Sequence, residues 1–172
     1  MKLRKVPLRA EQTIPSKKQN LGLLDTTFLH IETRDTPMHV AALLIYQLPD
    51  DTPENFIQQI VSPLRDKHKA IQAPWNLKLA NSTFASLVPK METAKQVDLS
   101  YHVRHSALPL PGGERELGEL VSRLHGQLLD RSAPLWTCNV IEGLSEGRFA
   151  LYIKMHHALT DGINGIRMAT RC

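Results

Sequence analysis

The chain contains 172 residues, has a formal net charge of +4, and consists of 42% hydrophobic and 22% charged residues. This composition is typical of a soluble globular protein, and the length suffices for one domain with a hydrophobic core. The longest apolar run, residues 40–46, is far too short for a membrane-spanning helix, which needs roughly 20 residues. The two cysteines, Cys138 and Cys172, argue against a disulfide scaffold and indicate a reducing compartment.

The positive charge is concentrated at the N-terminus. Residues 1–20 contain six Lys or Arg residues and one acid, Glu11, so the remaining residues have a net charge of −1. Because residues 1–20 also lack hydrophobic periodicity, we predict a basic flexible tail, with weak attraction to anionic lipid as a second interpretation. No long apolar stretch follows, so we expect no secretory signal. With 5% aromatic residues and no basic stripe in the domain, we also expect no nucleic-acid partner.

The rest of the chain alternates helical and strand patterns. Leu24, Phe28 and Ile31 recur at helical spacing, and residues 38–48 are apolar enough for a buried strand. The predicted elements, in chain order, are a helix over 24–32, a strand over 38–48, a helix over 53–68 that Pro63 interrupts, strands at 77–79, 84–88 and 99–104, a helix over 114–129, strands at 135–142 and 148–155, and a helix over 162–171. This order predicts an α/β (α+β) fold, with helices packed on a mixed sheet.

The segment 148–162, RFALYIKMHHALTDG, holds the side chains best suited to chemistry. Apolar residues from Phe149 to Met155 alternate with other residues, which is the pattern of a strand whose side chains face opposite sides. His157 has the parity of the apolar set, and His156 has the parity of the polar set. If the strand continues unbroken, His157 points toward the interior or a pocket and His156 points the other way.

A histidine in this place suits proton transfer, because its unperturbed pKa of about 6.5 lies near neutral pH. In apolar surroundings His157 would stay neutral and could accept a proton from a hydroxyl or an amine. Asp161 could orient His157, or it could hold the turn through a distant arginine, and Gly162 permits a tight change of chain direction. A structural histidine pair and a metal site are the alternatives. A metal usually needs three or four ligands, and no other tight His/Cys cluster occurs, so we expect no metal.

Several stretches of the sequence resemble one known family. HHALTDG at 156–162 fits the His-His-x-x-x-Asp-Gly signature of the CoA-dependent acyltransferase superfamily, which includes chloramphenicol acetyltransferase. LDRSAPLW at 129–136 resembles a stretch of the wax ester synthase/diacylglycerol acyltransferases, and residues 24–28 and 37–40 resemble the opening of that family. The resemblance covers about residues 21–171.

The resemblance implies a chloramphenicol-acetyltransferase-like N-terminal acyltransferase domain over residues 21–172. It also implies transfer of a long-chain acyl group from acyl-CoA, as co-substrate, to a fatty alcohol or diacylglycerol, with no covalently bound cofactor. The residues that it assigns are His157 as the general base, His156, Asp161 and Gly162 as support of the motif, and Pro134, Leu135 and Trp136 as a structural motif.

Members of that family are two-domain chains with an acyl channel between the halves, so we expect that a C-terminal domain is absent from this chain. Two alternatives therefore stay open. Besides the lipid acyltransferase, the chain could be a non-catalytic half that needs a separate C-terminal chain or fragment, or a condensation-type or polyketide-associated acyltransferase. We expect a cytoplasmic protein, peripheral at a membrane or at lipid inclusions.

Overall fold

The computed structural model describes residues 19–66, 70–80 and 89–159. Two 3-10 turns, Ser145–Gly147 and His157–Leu159, precede and follow the last strand. No helix within the described ranges is both long and apolar enough to cross a bilayer. The helices and strands, in chain order, are β1 (Gln19–Asn20), α1 (Leu23–Ile31), β2 (His39–Gln47), α2 (Phe56–Leu64), β3 (Leu77–Leu79), β4 (Lys90–Thr93), α3 (Leu99–His102), β5 (Val103–Ala107), α4 (Glu114–Gly126), β6 (Trp136–Leu144) and β7 (Arg148–His156).

A four-stranded mixed sheet is the framework of the domain. Its strand order is β2-β7-β6-β5, in which β7 runs antiparallel to both neighbours and β5 runs parallel to β6. Helices cover both faces. On one face Leu117 and Leu120 of α4 join Tyr152 of β7 in a buried cluster, and on the other Ile57 of α2 joins Phe149 of β7. The predicted fold class, a mixed sheet with helices packed on it, is confirmed.

The elements with the strongest periodicity lie close to their predicted positions. Residues 114–129 place leucines at the i, i+3 and i+7 positions of one helical face, and α4 begins at the predicted residue. The strands β6 and β7 lie within two residues of their predicted bounds, on either side of the turn Ser145–Gly147. Pro63, predicted to interrupt a helix, lies in the last turn of α2, which ends one residue later.

The apolar run in β2 does not form the buried strand that was predicted. β2 is an edge strand of the four-stranded sheet, and its side chains alternate between half-buried and exposed over much of its length. Leu43, Ile45 and Tyr46 are about two-fifths exposed, at 40%, 41% and 43%. The prediction was wrong because an apolar run reports β-propensity and burial tendency, whereas burial itself depends on what packs against the strand.

The interval 99–104, predicted as a strand, is a helical turn followed by a strand. The carboxylate of Asp98 accepts hydrogen bonds from the backbone N–H groups of Ser100 and Tyr101. This capping begins α3, so β5 starts only at Val103.

The structure also contains a second, three-stranded sheet of order β1-β4-β3. Of its three strands, the sequence predicted only β3. Residues 19 and 20, which fell in the predicted tail, pair with Met91 and Lys90 of β4. The sequences of β1 and β4, QN and KMET, show no apolar alternation that would mark them as strands. The predicted strand at 84–88, the predicted helix at 162–171 and residues 1–18 of the predicted tail lie outside the described residues.

The C-terminus of α4 is capped by side chains from two strands of the sheet. Nζ of Lys154 on β7 donates to the carbonyl oxygens of Leu124, at 2.6 Å, and of Gln127. Nε2 of His39 on β2 donates to the carbonyl oxygen of His125 at 2.6 Å. The last carbonyls of a helix have no partner within the helix, so these contacts satisfy groups that would otherwise be unpaired.

The loop before α4 packs tightly against the end of β6 at Gly112. This residue has a φ of +72°, and a Cβ built on it would lie 1.9 Å from the carbonyl oxygen of Gly143. The backbone N–H of Ser145 also donates to the carbonyl oxygen of Gly112 at 2.8 Å. Both the conformation and the close approach therefore require glycine at this position.

We expect Gly112→Ala to lower the free energy of unfolding by about 3 kcal/mol, from steric overlap and the left-handed backbone. The matched control is Gly118→Ala in the exposed interior of α4, where nothing lies within 4 Å of a new Cβ. Because alanine is the better helix former, we expect the free energy of unfolding of that variant to rise by about 1 kcal/mol. Guanidinium unfolding followed by circular dichroism measures both, and equal effects of the two variants would contradict the close packing at Gly112.

The stability of the protein should also depend on the charge of Lys154. Burial, and to a lesser extent the charge of Arg104, lowers the pKa of Lys154 from 10.5 to about 8. Below pH 8 the amine is charged in both states, and the folded state bears the cost of burying it. Between pH 8 and 10.5 only the unfolded state keeps the proton, so the free energy of unfolding rises with pH.

Relative to Lys154→Met, we therefore expect the unaltered protein to gain about 3 kcal/mol of unfolding free energy between pH 8 and 10.5. The measurement is denaturant unfolding of both proteins across this range. Lys95→Met, which removes an exposed lysine, controls for the loss of a lysine as such. A difference that stays constant or shrinks with rising pH would rule out a buried charge at Lys154.

Candidate active site

The two adjacent histidines lie at a change of backbone geometry. β7 ends at His156, and the 3-10 turn begins at His157. The alternation of side chains along the strand therefore ends at His156 and does not decide where the His157 side chain points. Both faces of β7 are also buried near this end, since Lys154 is 3% exposed, Met155 3% and His156 0%. The expectation that His156 points away from the interior is wrong, because α4 covers that face of the sheet as well.

His157 is half-buried and is held by its backbone and by one ring contact. Its backbone N–H donates to the carbonyl oxygen of Met38, just before β2, at 2.9 Å. Its ring stacks on the ring of Phe28 in α1, with the centroids 4.3 Å apart and the planes inclined by 26°. The helix periodicity that predicted α1 included Phe28 but gave no sign of this contact. The imidazole is thus packed on one face and retains partial access to solvent.

His156 is fully buried, and the hydrogen bond to its ring defines its protonation. The backbone N–H of Ala158 donates to Nδ1 of His156 at 3.0 Å, so Nδ1 bears a lone pair and the proton of the neutral ring is on Nε2. Nε2 lies 3.3 Å from Oε1 of Glu32, a close contact that lacks hydrogen-bond geometry. Burial lowers the pKa of His156 well below its usual 6.5, although the charge of Glu32 opposes this shift. His156 is therefore neutral at pH 7.

Glu32 is a nearly buried carboxylate beside the histidines, with its side chain 2% exposed. Oε1 accepts the backbone N–H of Met38 at 3.0 Å, and Oε2 accepts Nη2 of Arg131 at 3.0 Å. Nη2 of Arg131 also donates to the carbonyl oxygen of Leu29 at 2.7 Å. Burial raises the pKa of Glu32, but the hydrogen bonds from Met38 and Arg131 outweigh it, so the pKa lies below its usual 4.5 and the carboxylate is charged.

The three residues interpreted as a structural motif are all buried. Pro134 and Leu135 precede β6, and Leu135 is 0% exposed. The backbone N–H of His156 donates to the carbonyl oxygen of Leu135 at 2.9 Å, which ties this segment to the end of β7. Nε1 of Trp136 donates to the carbonyl oxygen of Trp75 at 2.7 Å, and its ring stacks on His102. The segment is therefore part of the core, and it contacts the histidines through the hydrogen bond from His156 to Leu135.

The predicted site residues divide into two groups. His156 contacts the buried carboxylate of Glu32, which pairs with the half-buried Arg131, and His157 is the next residue. The sequence gave no role to Glu32 or Arg131, although Arg131 lies in the LDRSAPLW stretch. Asp161 and Gly162 lie outside the described residues. Within the described ranges, no three His, Cys, Asp or Glu side chains are close enough together to hold a metal ion.

A cavity of about 700 Å³ lies elsewhere, between β4, α3 and the segment that precedes β6. Tyr101, His102, Asp130 and Pro134 contribute to its lining, and His157 does not. Its wall includes lysines and carboxylates, and it is separate from His157. The half-buried imidazole, with its fixed backbone, is therefore the better candidate for chemistry.

Comparisons with known proteins identify the family of the chain. Residues 21–172 match the family described as wax ester synthase/diacylglycerol acyltransferase catalytic domain. The O-acyltransferase WSD of Acinetobacter baylyi is 45% identical over 145 residues, which are 84% of this chain and 30% of that protein. The solved wax ester synthase/diacylglycerol acyltransferase from Marinobacter aquaeolei VT8 superposes with a TM-score of 0.81 at 40% identity, covering 89% of this chain and 38% of that one.

The fold extends to more distant proteins. The starter condensation domain of the rhizomide synthetase RzmA has a TM-score of 0.60 at 13% identity, a likeness that shows the fold alone. The chain spans roughly a third of the length of the relatives described above. Because the family match covers all residues after the first 20, and relatives reach 40–45% identity, the chain belongs to the wax ester synthase/diacylglycerol acyltransferase family.

Proposed function

We propose that the protein transfers a long-chain acyl group from acyl-CoA to the hydroxyl of a fatty alcohol or of diacylglycerol, with His157 as the general base. The observation that carries the proposal is the half-buried imidazole of His157, fixed at the end of the central strand β7 in a chain of this family. The relatives are named O-acyltransferase and wax ester synthase/diacylglycerol acyltransferase, which supports this reaction class.

The reaction needs one base and one proton donor, and a single histidine supplies both. His157 accepts the proton of the acceptor hydroxyl while that oxygen attacks the thioester carbonyl, so the new C–O bond forms as the carbonyl oxygen gains the negative charge. Collapse of this tetrahedral intermediate breaks the C–S bond, and the protonated His157 returns its proton to the CoA thiolate. No acyl-enzyme intermediate is required. Stabilising the oxyanion is commonly worth about 3–4 kcal/mol and calls for hydrogen-bond donors aimed at that oxygen.

A second candidate function follows from the share of the relatives that the chain spans. The chain matches 30% of the Acinetobacter protein and 38% of the Marinobacter one. In this second proposal, residues of another segment or another chain complete a two-substrate channel. In this case the 172-residue chain would be inactive alone and would bind a C-terminal domain or fragment.

A peripheral position at a membrane or lipid inclusion is part of the proposal, since both products are water-insoluble.

An assay of the isolated 172-residue chain with long-chain acyl-CoA and hexadecanol, and separately with diacylglycerol, distinguishes these candidates. Wax ester or triacylglycerol formed by the chain alone would establish it as a complete catalyst. No product from the chain alone, but product after a C-terminal fragment is added, would support the half-domain. Turnover only with carrier-protein-bound acyl groups would point to the condensation-type alternative.

In whichever form is active, we expect His157→Ala to lower kcat by about 10²–10⁴-fold, the usual worth of a general base, while the protein remains folded. His156→Ala should reduce kcat less and lower the unfolding temperature more, because His156 is 0% exposed. His30→Ala, at an exposed histidine of α1, is the control. If the His157→Ala enzyme kept near-normal turnover, His157 would not be the base.

A further inference from the structure

The carboxylate of Glu32 is connected to His157 by a chain of backbone hydrogen bonds. Oε1 of Glu32 accepts the N–H of Met38 at 3.0 Å. The carbonyl oxygen of the same Met38 accepts the N–H of His157 at 2.9 Å. Met38 is thus hydrogen-bonded to both the Glu32 carboxylate and the His157 backbone, and a shift of the carboxylate would move the backbone of His157.

A second connection runs through the ring of His156. The N–H of Ala158 requires an unprotonated Nδ1, which puts the proton of the neutral ring on Nε2. Nε2 is the atom that lies 3.3 Å from Oε1 of Glu32, and a carboxylate favours a protonated nitrogen at that distance. Both neighbours therefore select the same tautomer. The hydrogen bond at Nδ1 and the close charged contact at Nε2 together restrain the turn from His156 to Ala158, in which His157 is the middle residue.

Arg131 stabilises this arrangement and extends it to α1. Its Nη2 donates to Oε2 of Glu32 at 3.0 Å and to the carbonyl oxygen of Leu29 at 2.7 Å. Leu29 follows Phe28, whose ring stacks on that of His157. A carboxylate as buried as Glu32 would otherwise take up a proton or leave the interior. The Glu32–Arg131 pair therefore joins the three segments that surround His157, namely α1, the start of β2 and the end of β7.

We propose that Glu32 and Arg131 are positioning residues: their ion pair, with its buried carboxylate, holds the ring of His156 and the Met38 segment in place and so fixes the direction of the His157 imidazole. The inference rests on the role of His157 under the proposed function. Neither residue is required to touch the substrate, because both act through Met38, His156 and the Phe28 stack. Since a displacement of about 1 Å at a reacting group can cost about 10²-fold in rate, the effect should appear in kcat.

Glu32→Gln is the most conservative test, because glutamine keeps the size and an acceptor for the Met38 N–H but removes the charge that pairs with Arg131. We expect kcat to fall by about 10- to 100-fold, with KM changed by less than about threefold. Arg131→Lys, which keeps the positive charge, should retain more activity than Arg131→Gln. The matched control is Glu119→Gln, which removes the same charge from the exposed pair Arg115–Glu119 on α4. Equal turnover of Glu32→Gln and Glu119→Gln would overturn the proposal.

A double variant separates positioning from stability. Replacing a buried ion pair by apolar residues of similar size often leaves a protein folded, so Glu32→Leu/Arg131→Met should show a cooperative thermal transition. We expect it to be folded and to have the low kcat of the single variants. A folded double variant with normal kcat would contradict the proposal. If this variant does not fold, the comparison of Glu32→Gln with Glu119→Gln decides.

The tautomer is observable without turnover. In protein labelled with ¹⁵N-histidine, two-bond ¹H–¹⁵N spectra at pH 7 should show His156 with Nε2 protonated and Nδ1 unprotonated. In Glu32→Gln or the double variant, we expect shifted ring resonances of His156, from loss of the neighbouring charge, and a shifted amide resonance of His157. Unchanged spectra would overturn the positioning role even if the enzyme is active. Altered spectra in a protein that transfers no acyl group would instead refute the proposed function and leave the positioning network intact.

Discussion

The charge of Glu32 is the constraint on which the surroundings of the two histidines depend. A carboxylate with 2% of its side chain exposed stays ionised only if enough donors reach it. Those donors come from the start of β2, through Met38, and from the segment before β6, through Arg131. Met38 lies six residues from Glu32 in the sequence, whereas Arg131 lies 99 residues away. The set of donors that keeps the buried carboxylate ionised is therefore complete only in the folded domain.

The sheet gives this network a rigid base. β7, like β6, has a neighbouring strand on both sides, and helices cover both of its faces, so the histidines follow a well-supported backbone. Lys154, two residues before His156, ties the same strand to the end of α4. Sites built at the ends of well-packed elements hold their side chains more closely than sites on loops. A single base that must first accept and then return a proton benefits from such a support.

The sequence predicted what depends on local pattern. Hydrophobic periodicity marked α4, β6 and β7, because each buries one or both faces along its full length. It misplaced residues 99–102, where the Asp98 side chain caps a helical turn against the strand tendency of its neighbours. It also misjudged β2, because exposure depends on neighbours that the run itself does not specify. The family resemblance pointed to His156 and His157 but could assign no role to Glu32, an acidic residue at the end of a helix whose partners become visible only in three dimensions.

One irregularity in the sheet bears on how the sequence of this domain can vary. β6 and β7 pair without interruption from Trp136 to Ile141, and then β6 takes three steps to Leu144 where β7 takes two. The extra residue forms a bulge beside Gly143, whose φ is +80°. This end of the hairpin therefore already tolerates a difference in strand length. At the other end, one inserted residue in β7 would exchange its two faces, turning Lys154 into the apolar cluster of Trp136 and removing His156 from Glu32. Length changes in this hairpin should thus accumulate at its turn and be absent from the strand end that leads into the histidines.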